Sequence, residues 1–500
     1  MDWFAIAAPL VLAGAAVLVL LADAFAPAAV SSRRRGPAPV AATLTVLALV
    51  GAAVVAVPLW GDPRATFCVG GPAGSAGSAG PAGSAGRCSF AVDDFTLVFW
   101  GVVLFGTLVV ALLGTATTAP AVTPPGEWNF LLLCSATGGL AIAASRDLVT
   151  LVVSLEVVSL PVFALVGLRR GNPRSAEASV KFFLVSVVST AVTLMGISLV
   201  YGATGSVFLA GVNDALARGV PAERVAVVGV LLTCVGLAFK VAAVPFHMWV
   251  PDTYVGAPVA VAAYLSVVSK AAGFVGLMLV LALGLRTFAD VWAPIVAVVA
   301  ALTMTVGNVL ALWQRHAVRL LAWSSVAQAG YILVPFAAVA AGRAALSASL
   351  GYLAIYAFVN LGAFAVAAAV GTRHPRQDLE DYRGLVREKP GAGWPLAFAL
   401  VALAGLPPGI VGLLAKVVVF SSVAQPVTWL AVVMAVNVAI GLVYYARWLM
   451  VLFRPAEDGD GSTYHVPAGV GVAIGLTFAA GLVFSVVPGV LLDPVMSVLG

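Results

Sequence analysis

The 500-residue chain is 62% hydrophobic and only 9% charged, with a mean hydropathy of +1.08. A water-soluble domain carries roughly 25% charged residues, so this chain has too few to cover an aqueous surface, and apolar runs of about 18 or more residues recur along nearly all of it. The basic residues behind its net charge of +5 fall mostly in short loops between those runs, where they act as topology signals and lipid-headgroup contacts rather than as a nucleic-acid surface.

The apolar runs predict an all-α polytopic membrane protein of about fourteen spans, near 4–24, 39–59, 94–113, 128–144, 148–167, 179–201, 225–246, 255–284, 291–312, 318–340, 345–370, 394–420, 427–452 and 467–491. The first run lacks a basic segment before it, so no cleavable signal peptide is expected. An even count puts both termini on one side. With the termini outside, fifteen basic loop residues, including Arg33, Arg34, Arg35, Arg387 and Lys389, face inward, and seven, including Arg343, face outward. That asymmetry places both termini on the non-cytoplasmic side. The four basic residues left over are Lys181, Lys240, Lys270 and Lys416, and all lie within spans.

Between the second and third spans, the external loop 61–93 holds the low-complexity segment GGPAGSAGSAGPAGSAG (70–86), which reads as a flexible linker. Cys68 and Cys88 flank it. They either form a disulfide on the oxidising side or stay as two free thiols, since spacing alone fixes no geometry. Cys134 and Cys234 lie in apolar helices without metal-ligand spacing and read as core residues. Further along, Pro245 ends the seventh span soon after Lys240, and Pro407, Pro408 and Gly409 interrupt the twelfth. Proline frees backbone groups that need protein or water partners inside a membrane, and breaks at related positions in two halves mark ion sites in inverted-repeat transporters. The expected organisation is three helices in 1–127, a first five-helix repeat in 128–284, an inverted second in 291–452, and a last helix in 467–500.

Glu156, Lys240, Lys270 and Lys416 stand inside apolar spans. Each such charge costs roughly 2.5–3.5 kcal/mol at a helix centre, so four unpartnered ones would cost on the order of 10 kcal/mol. A fixed ion pair could explain one lysine beside Glu156, but three lysines exceed a single carboxylate. A desolvated lysine gives up its proton readily, whereas arginine holds its own, so lysine at every interior cationic position fits proton exchange better than scaffolding. Glu177 and Lys181 have the favourable i, i+4 order on a helix and either tune this path or form an interfacial pair. His247, seven residues after Lys240, either relays protons between Lys240 and Lys270 or anchors a loop. His316, His374 and His465 fall in polar loops as solvated side chains. There is no Gly-rich nucleotide loop, cysteine cluster or haem-type histidine pair, so electron chemistry is expected in partner proteins.

The stretch KVAAVPFHMWVPDTYVGAPVAVAAYLSVVSKAAGF (240–274) resembles the most distinctive segment of the antiporter-like, proton-pumping subunits of respiratory complex I. RLLAWSSVAQAGYIL (319–333), YLAIYAFVNLGAFAV (352–366), DLEDYRGL and ALAGLPPGIVGLLAK extend the likeness to Lys416, over more than half the chain. The PDTYVGAP wording, a lysine rather than glutamate at 416, and the lack of a long lateral helix make it similar to the N subunit rather than M or L. Gln328 departs from the histidine of many relatives, and the Gly/Ala/Ser loop is peculiar to this chain. The resemblance implies that Glu156 pairs with Lys240, that Lys270 is the central relay, and that Lys416 exchanges protons near the outlet, with Glu177 and Lys181 tuning the path. It implies a bacterial plasma-membrane subunit that couples electron transfer from NADH to quinone to proton pumping. NADH, FMN, iron–sulfur clusters and quinone would sit in partner subunits. Those partners would be the M and L subunits, small K- and J-type subunits and the peripheral redox arm. A subunit of a multisubunit cation/proton antiporter and a non-catalytic scaffold are the competing readings.

Overall fold

The computed structural model describes residues 1–25, 37–69, 87–118, 122–341, 344–455 and 466–497. Segment 70–86, Arg33, Arg34, Arg35, Arg343, His465 and Gly500 lie outside them. In chain order the helices are α1 (Ala7–Ala24), α2 (Pro37–Ala56), α3 (Asp94–Thr117), α4 (Pro125–Ala144), α5 (Leu148–Gly167), α6 (Pro173–Thr204), α7 (Leu209–Ala217), α8 (Glu223–Lys240), α9 (Trp249–Gly256), α10 (Val259–Tyr264), α11 (Lys270–Leu279), α12 (Ala289–Leu312), α13 (Ala317–Leu333), α14 (Ala344–Gly371), α15 (Leu385–Glu388), α16 (Pro390–Ala404), α17 (Ile410–Val423), α18 (Thr428–Phe453), α19 (Ala468–Val486) and α20 (Gly489–Ser497). A π-helical turn (Leu265–Ser269) joins α10 to α11 in one continuous rod and ends at Lys270.

Twelve of the described helices are long and apolar enough to cross a membrane. The other two expected spans, 225–246 and 394–420, are built differently. α8 stops at Lys240, and residues 241–248 turn irregularly before α9 begins. α16 ends where Gly405 takes a left-handed φ of 82°, a conformation that suits glycine, and residues 405–409 separate it from α17. The Val244–Pro245 and Pro407–Pro408 peptide bonds in these two breaks are cis.

The edges of the 61–93 segment are ordered, contrary to a loop throughout. β1 (Arg64–Cys68) and β2 (Cys88–Val92) pair antiparallel with Cys68 opposite Cys88, and the two cysteines are disulfide-bonded. Alternation in RATFC and CSFAV is too short to read beside seventeen residues of linker composition.

Burial sorts the helices. The apolar windows of Val259–Gly284, Ala317–Val339 and Ala345–Gly371 are 83%, 100% and 94% buried, against 28% for α1 and α6. The α10–α11 rod, α13 and α14 therefore form the middle, with α6 at the periphery. α6 and α8 approach closely through small residues. Ser189 Oγ donates to Gly236 O at 2.9 Å, and a methyl group at Gly236 would overlap Thr193 Oγ1. Close backbone approach of this kind drives helix association in membranes, where apolar side chains gain nothing over lipid. α5 starts at Asp147, whose carboxylate accepts from the Val149 and Thr150 amides at 2.8 Å each.

Candidate functional site

The first cluster forms where α5, α6 and the end of α8 meet. Residues one turn apart share a helix face, so α5 presents Glu156 and Ser159 together, and α6 presents Ser186 and Thr190. All four converge on the last residue of α8. Lys240 Nζ donates to Ser159 Oγ (2.9 Å) and Ser186 Oγ (3.0 Å) and pairs with Glu156 Oε1 at 3.4 Å. Thr190 Oγ1 donates to the same carboxylate oxygen at 2.7 Å. The Lys240 side chain is 8% exposed and that of Glu156 25%, so the carboxylate forms the open side of the pair. The main-chain break just beyond Lys240 is held from another helix: the Val244 amide donates to Thr303 Oγ1 of α12 at 2.9 Å.

The second cluster lies on the central rod. Gly273, one turn beyond Lys270, packs directly on the Lys240 backbone, where a methyl group would come within 3.0 Å of its carbonyl carbon. Lys270 is almost wholly buried, and its Nζ donates to Ser325 O (2.6 Å) and Ser325 Oγ (2.5 Å) of α13. Tyr356 of α14 donates to the same Ser325 Oγ at 3.0 Å.

The third cluster is the second broken helix. The last carbonyls of α16 have no amide partners in their own helix and lie at the negative end of its dipole. Lys416 Nζ donates to two of them, Leu403 O and Ala404 O, at 2.7 Å each, and stands 5.6 Å from the centre of the Tyr331 ring. Among the described residues no carboxylate pairs with Lys270 or Lys416, so only Lys240 has the acid partner foreseen for it.

Gln328 sits between these clusters. Its Oε1 accepts from Tyr352 at 2.5 Å, and its Nε2 donates to Tyr445 at 3.1 Å, with Ser324 also bonded to Tyr445. His247 lies in the irregular segment between α8 and α9, its ring 5.5 Å from that of Trp323. Glu177 and Lys181 pair with each other at 2.6 Å on the outer face of α6, 63% and 58% exposed. His316 is not simply solvated: it caps α13 by accepting from the Arg319 amide at 3.3 Å. His374 lies 3.6 Å from Asp381.

Sequence reasoning missed the hydroxyls: Ser159, Ser186, Thr190, Ser325 and Tyr356. The spacing of Ser186 and Thr190 on one face of α6, and of Ser159 one turn from Glu156, was the available signal.

Three buried lysines beside two interrupted helices fit one class, the antiporter-like membrane subunits, and residues 145–441 match the family described as NADH:quinone oxidoreductase/Mrp antiporter, TM. The chain is 50% identical to NADH-quinone oxidoreductase subunit N 2 of Streptomyces griseus, covering 97% of this chain and 92% of that one. It is 44% identical to NADH-quinone oxidoreductase subunit N of Salinispora tropica over 89% of its length and 84% of that protein's. A chain of respiratory complex I from Thermus thermophilus with bound aureothin superposes with a TM-score of 0.76 at 29% identity, over 97% of this chain and 98% of that one. A chain of the Mrp complex from Dietzia sp. shares the fold, with a TM-score of 0.81 at 21% identity over 100% and 97% of the two chains. The chain belongs to the NADH-quinone oxidoreductase subunit N family.

Proposed function

We propose that this chain is a proton-translocating membrane subunit of NADH-quinone oxidoreductase, and that Glu156, Lys240, Lys270 and Lys416 form its proton relay. The observation that carries the relay is the Lys240 site: a buried ammonium held by two hydroxyls and one partly exposed carboxylate. Such a site holds a proton while the carboxylate is charged and close. Withdrawing or neutralising that negative charge releases the proton toward Lys270. Lys270 passes it on, and Lys416 takes it up at the end of α16. The redox groups (NADH, FMN, iron–sulfur clusters, quinone) belong to partner subunits, and the plasma membrane is the working environment. Glu177, Lys181 and His247 act on this path from its edges. The two breaks belong to two inverted five-helix repeats, 128–284 and 291–452. Both termini lie outside the cytoplasm, and the Cys68–Cys88 bond supports that orientation, because disulfides persist on the oxidising side. The multisubunit-antiporter reading rests on the shared fold and on a family description common to both, whereas the N-subunit reading also has 50% identity behind it.

Lys240→Arg keeps the charge but holds its proton too tightly to pass on. In a complex assembled with this variant and reconstituted in vesicles, NADH-driven proton pumping is expected to fall to the level of Lys240→Met. Wild-type pumping by the arginine variant, in an intact complex, would remove Lys240 from the relay and leave it a structural cation.

A further inference from the structure

The hydrogen-bonded path from Lys270 runs through Ser325 to Tyr356 and stops short of Lys416. Ser325 Oγ accepts from both Lys270 Nζ and the Tyr356 hydroxyl, so a single hydroxyl group stands between the ammonium and the tyrosine oxygen. Beyond Tyr356 lies a small cavity with room for about one water. Tyr356, Tyr352 and Gln328 form one wall. Leu403, Ala402 and Gly412, on the two halves of the broken helix, form the other. Leu403 is also the residue whose carbonyl accepts from Lys416.

Gln328 also lines this cavity, yet it is chemically unsuited to carry a proton across it. A carboxamide has no readily exchanged lone pair on nitrogen, and both of its polar ends are already engaged, by Tyr352 and Tyr445. A hydroxyl group, by contrast, accepts a proton on oxygen and releases its own in one motion.

We infer that Tyr356 is the proton-carrying residue between Lys270 and Lys416, acting through a water held in this cavity, and that Gln328 is a positioning residue that fixes Tyr352 beside Tyr356 on the same wall. The inference rests on the lysine relay proposed above. The step balances without redox change. The Tyr356 hydroxyl first turns its proton from Ser325 Oγ toward the water; Lys270 then gives its proton to Ser325 Oγ, Ser325 passes its hydroxyl proton to Tyr356, and Tyr356 passes its own to the water. The water delivers a proton to neutral Lys416, and the hydroxyls then rotate back.

The test uses the whole complex in liposomes, reading protons pumped per NADH oxidised, with Lys270→Met setting the floor. Tyr356→Phe, which removes one oxygen, is expected to fall to that floor while NADH oxidation in uncoupled vesicles persists. Ala415→Val, which fills the cavity from α17 and leaves every hydroxyl in place, is expected to do the same and serves if the tyrosine variant fails to assemble. Adding Gln328→His to Tyr356→Phe puts an exchangeable imidazole at this cavity and is expected to restore pumping, which a merely structural tyrosine would not allow. Wild-type pumping by Tyr356→Phe or by Ala415→Val, with Lys270→Met inactive, overturns the Tyr356 route and leaves the lysine relay standing. Wild-type pumping by Lys270→Met overturns the relay itself.

Discussion

At the scale of single residues, the site divides into groups whose cost made them visible and groups whose ordinariness hid them. Glu156 and the three interior lysines were legible because a charge in hydrocarbon is expensive and is retained only with partners. Ser159 was not. Its hydroxyl donates to Leu155 O at 2.8 Å, as serines in apolar helices commonly do, and the same oxygen then accepts from Lys240. Thr193, Thr233 and Thr477 make the same backward bond without any role at the lysines, so residue type alone could not single out Ser159. Glu156→Gln keeps the shape of the side chain and an acceptor for Thr190, but removes the charge that balances Lys240. Proton pumping in reconstituted vesicles is expected to fall steeply with the complex intact, and Glu156→Asp to retain part of it. Full pumping by the glutamine variant would mean that the hydroxyls alone suffice to hold Lys240.

At the scale of elements, the apolar runs located the spans well, because the bilayer imposes one length on every crossing helix. The prolines at 245, 407 and 408 marked where α8 and the α16–α17 span break, but not what satisfies the freed backbone there. Thr303 meets the Val244 amide at one break, and Lys416 meets the α16 carbonyls at the other. The sequence was equally silent on the contact between α6 and α8, which glycines set. Gly236→Leu is expected to force these helices apart and draw Ser186 away from Lys240. Overpacking of this kind typically costs about 1–3 kcal/mol. The expected outcome is a complex that assembles with a lowered thermal midpoint and reduced pumping, measured on the same preparation. Unchanged values for both would show that α6 yields without disturbing the site.

At the scale of the molecule, the loop charges and the disulfide point to one orientation by unrelated physics. Charge bias acts during insertion, whereas the Cys68–Cys88 bond reflects the redox state of the compartment. A reporter fused after Gly500 is expected to act outside the cytoplasm and one inserted in 371–393 to act inside. Thiol reagents added to intact membranes are expected to reach Cys68 and Cys88 only after reduction, and deletion of 71–86 to leave pumping largely intact. Opposite reporter activities would invert the fold in the membrane. Which cysteine chemistry prevails was open in the sequence and is resolved only by the pairing of β1 with β2, which brings residue 68 opposite 88.

The uneven supply of carboxylates among the three clusters has a consequence for counting. Among the described residues of the three clusters, one acid accompanies three lysines, and it stands with Lys240, while Lys270 and Lys416 rest on neutral oxygens. An uncompensated ion in such surroundings costs several kcal/mol, and a second one nearby adds repulsion to that cost. Beyond the Glu156–Lys240 pair, a single proton shared by Lys270 and Lys416 is therefore expected to be favoured over two. On the proposed relay, Lys270 and Lys416 would be successive berths for the same passenger, and a vacancy at the far berth would be the condition for departure from the near one.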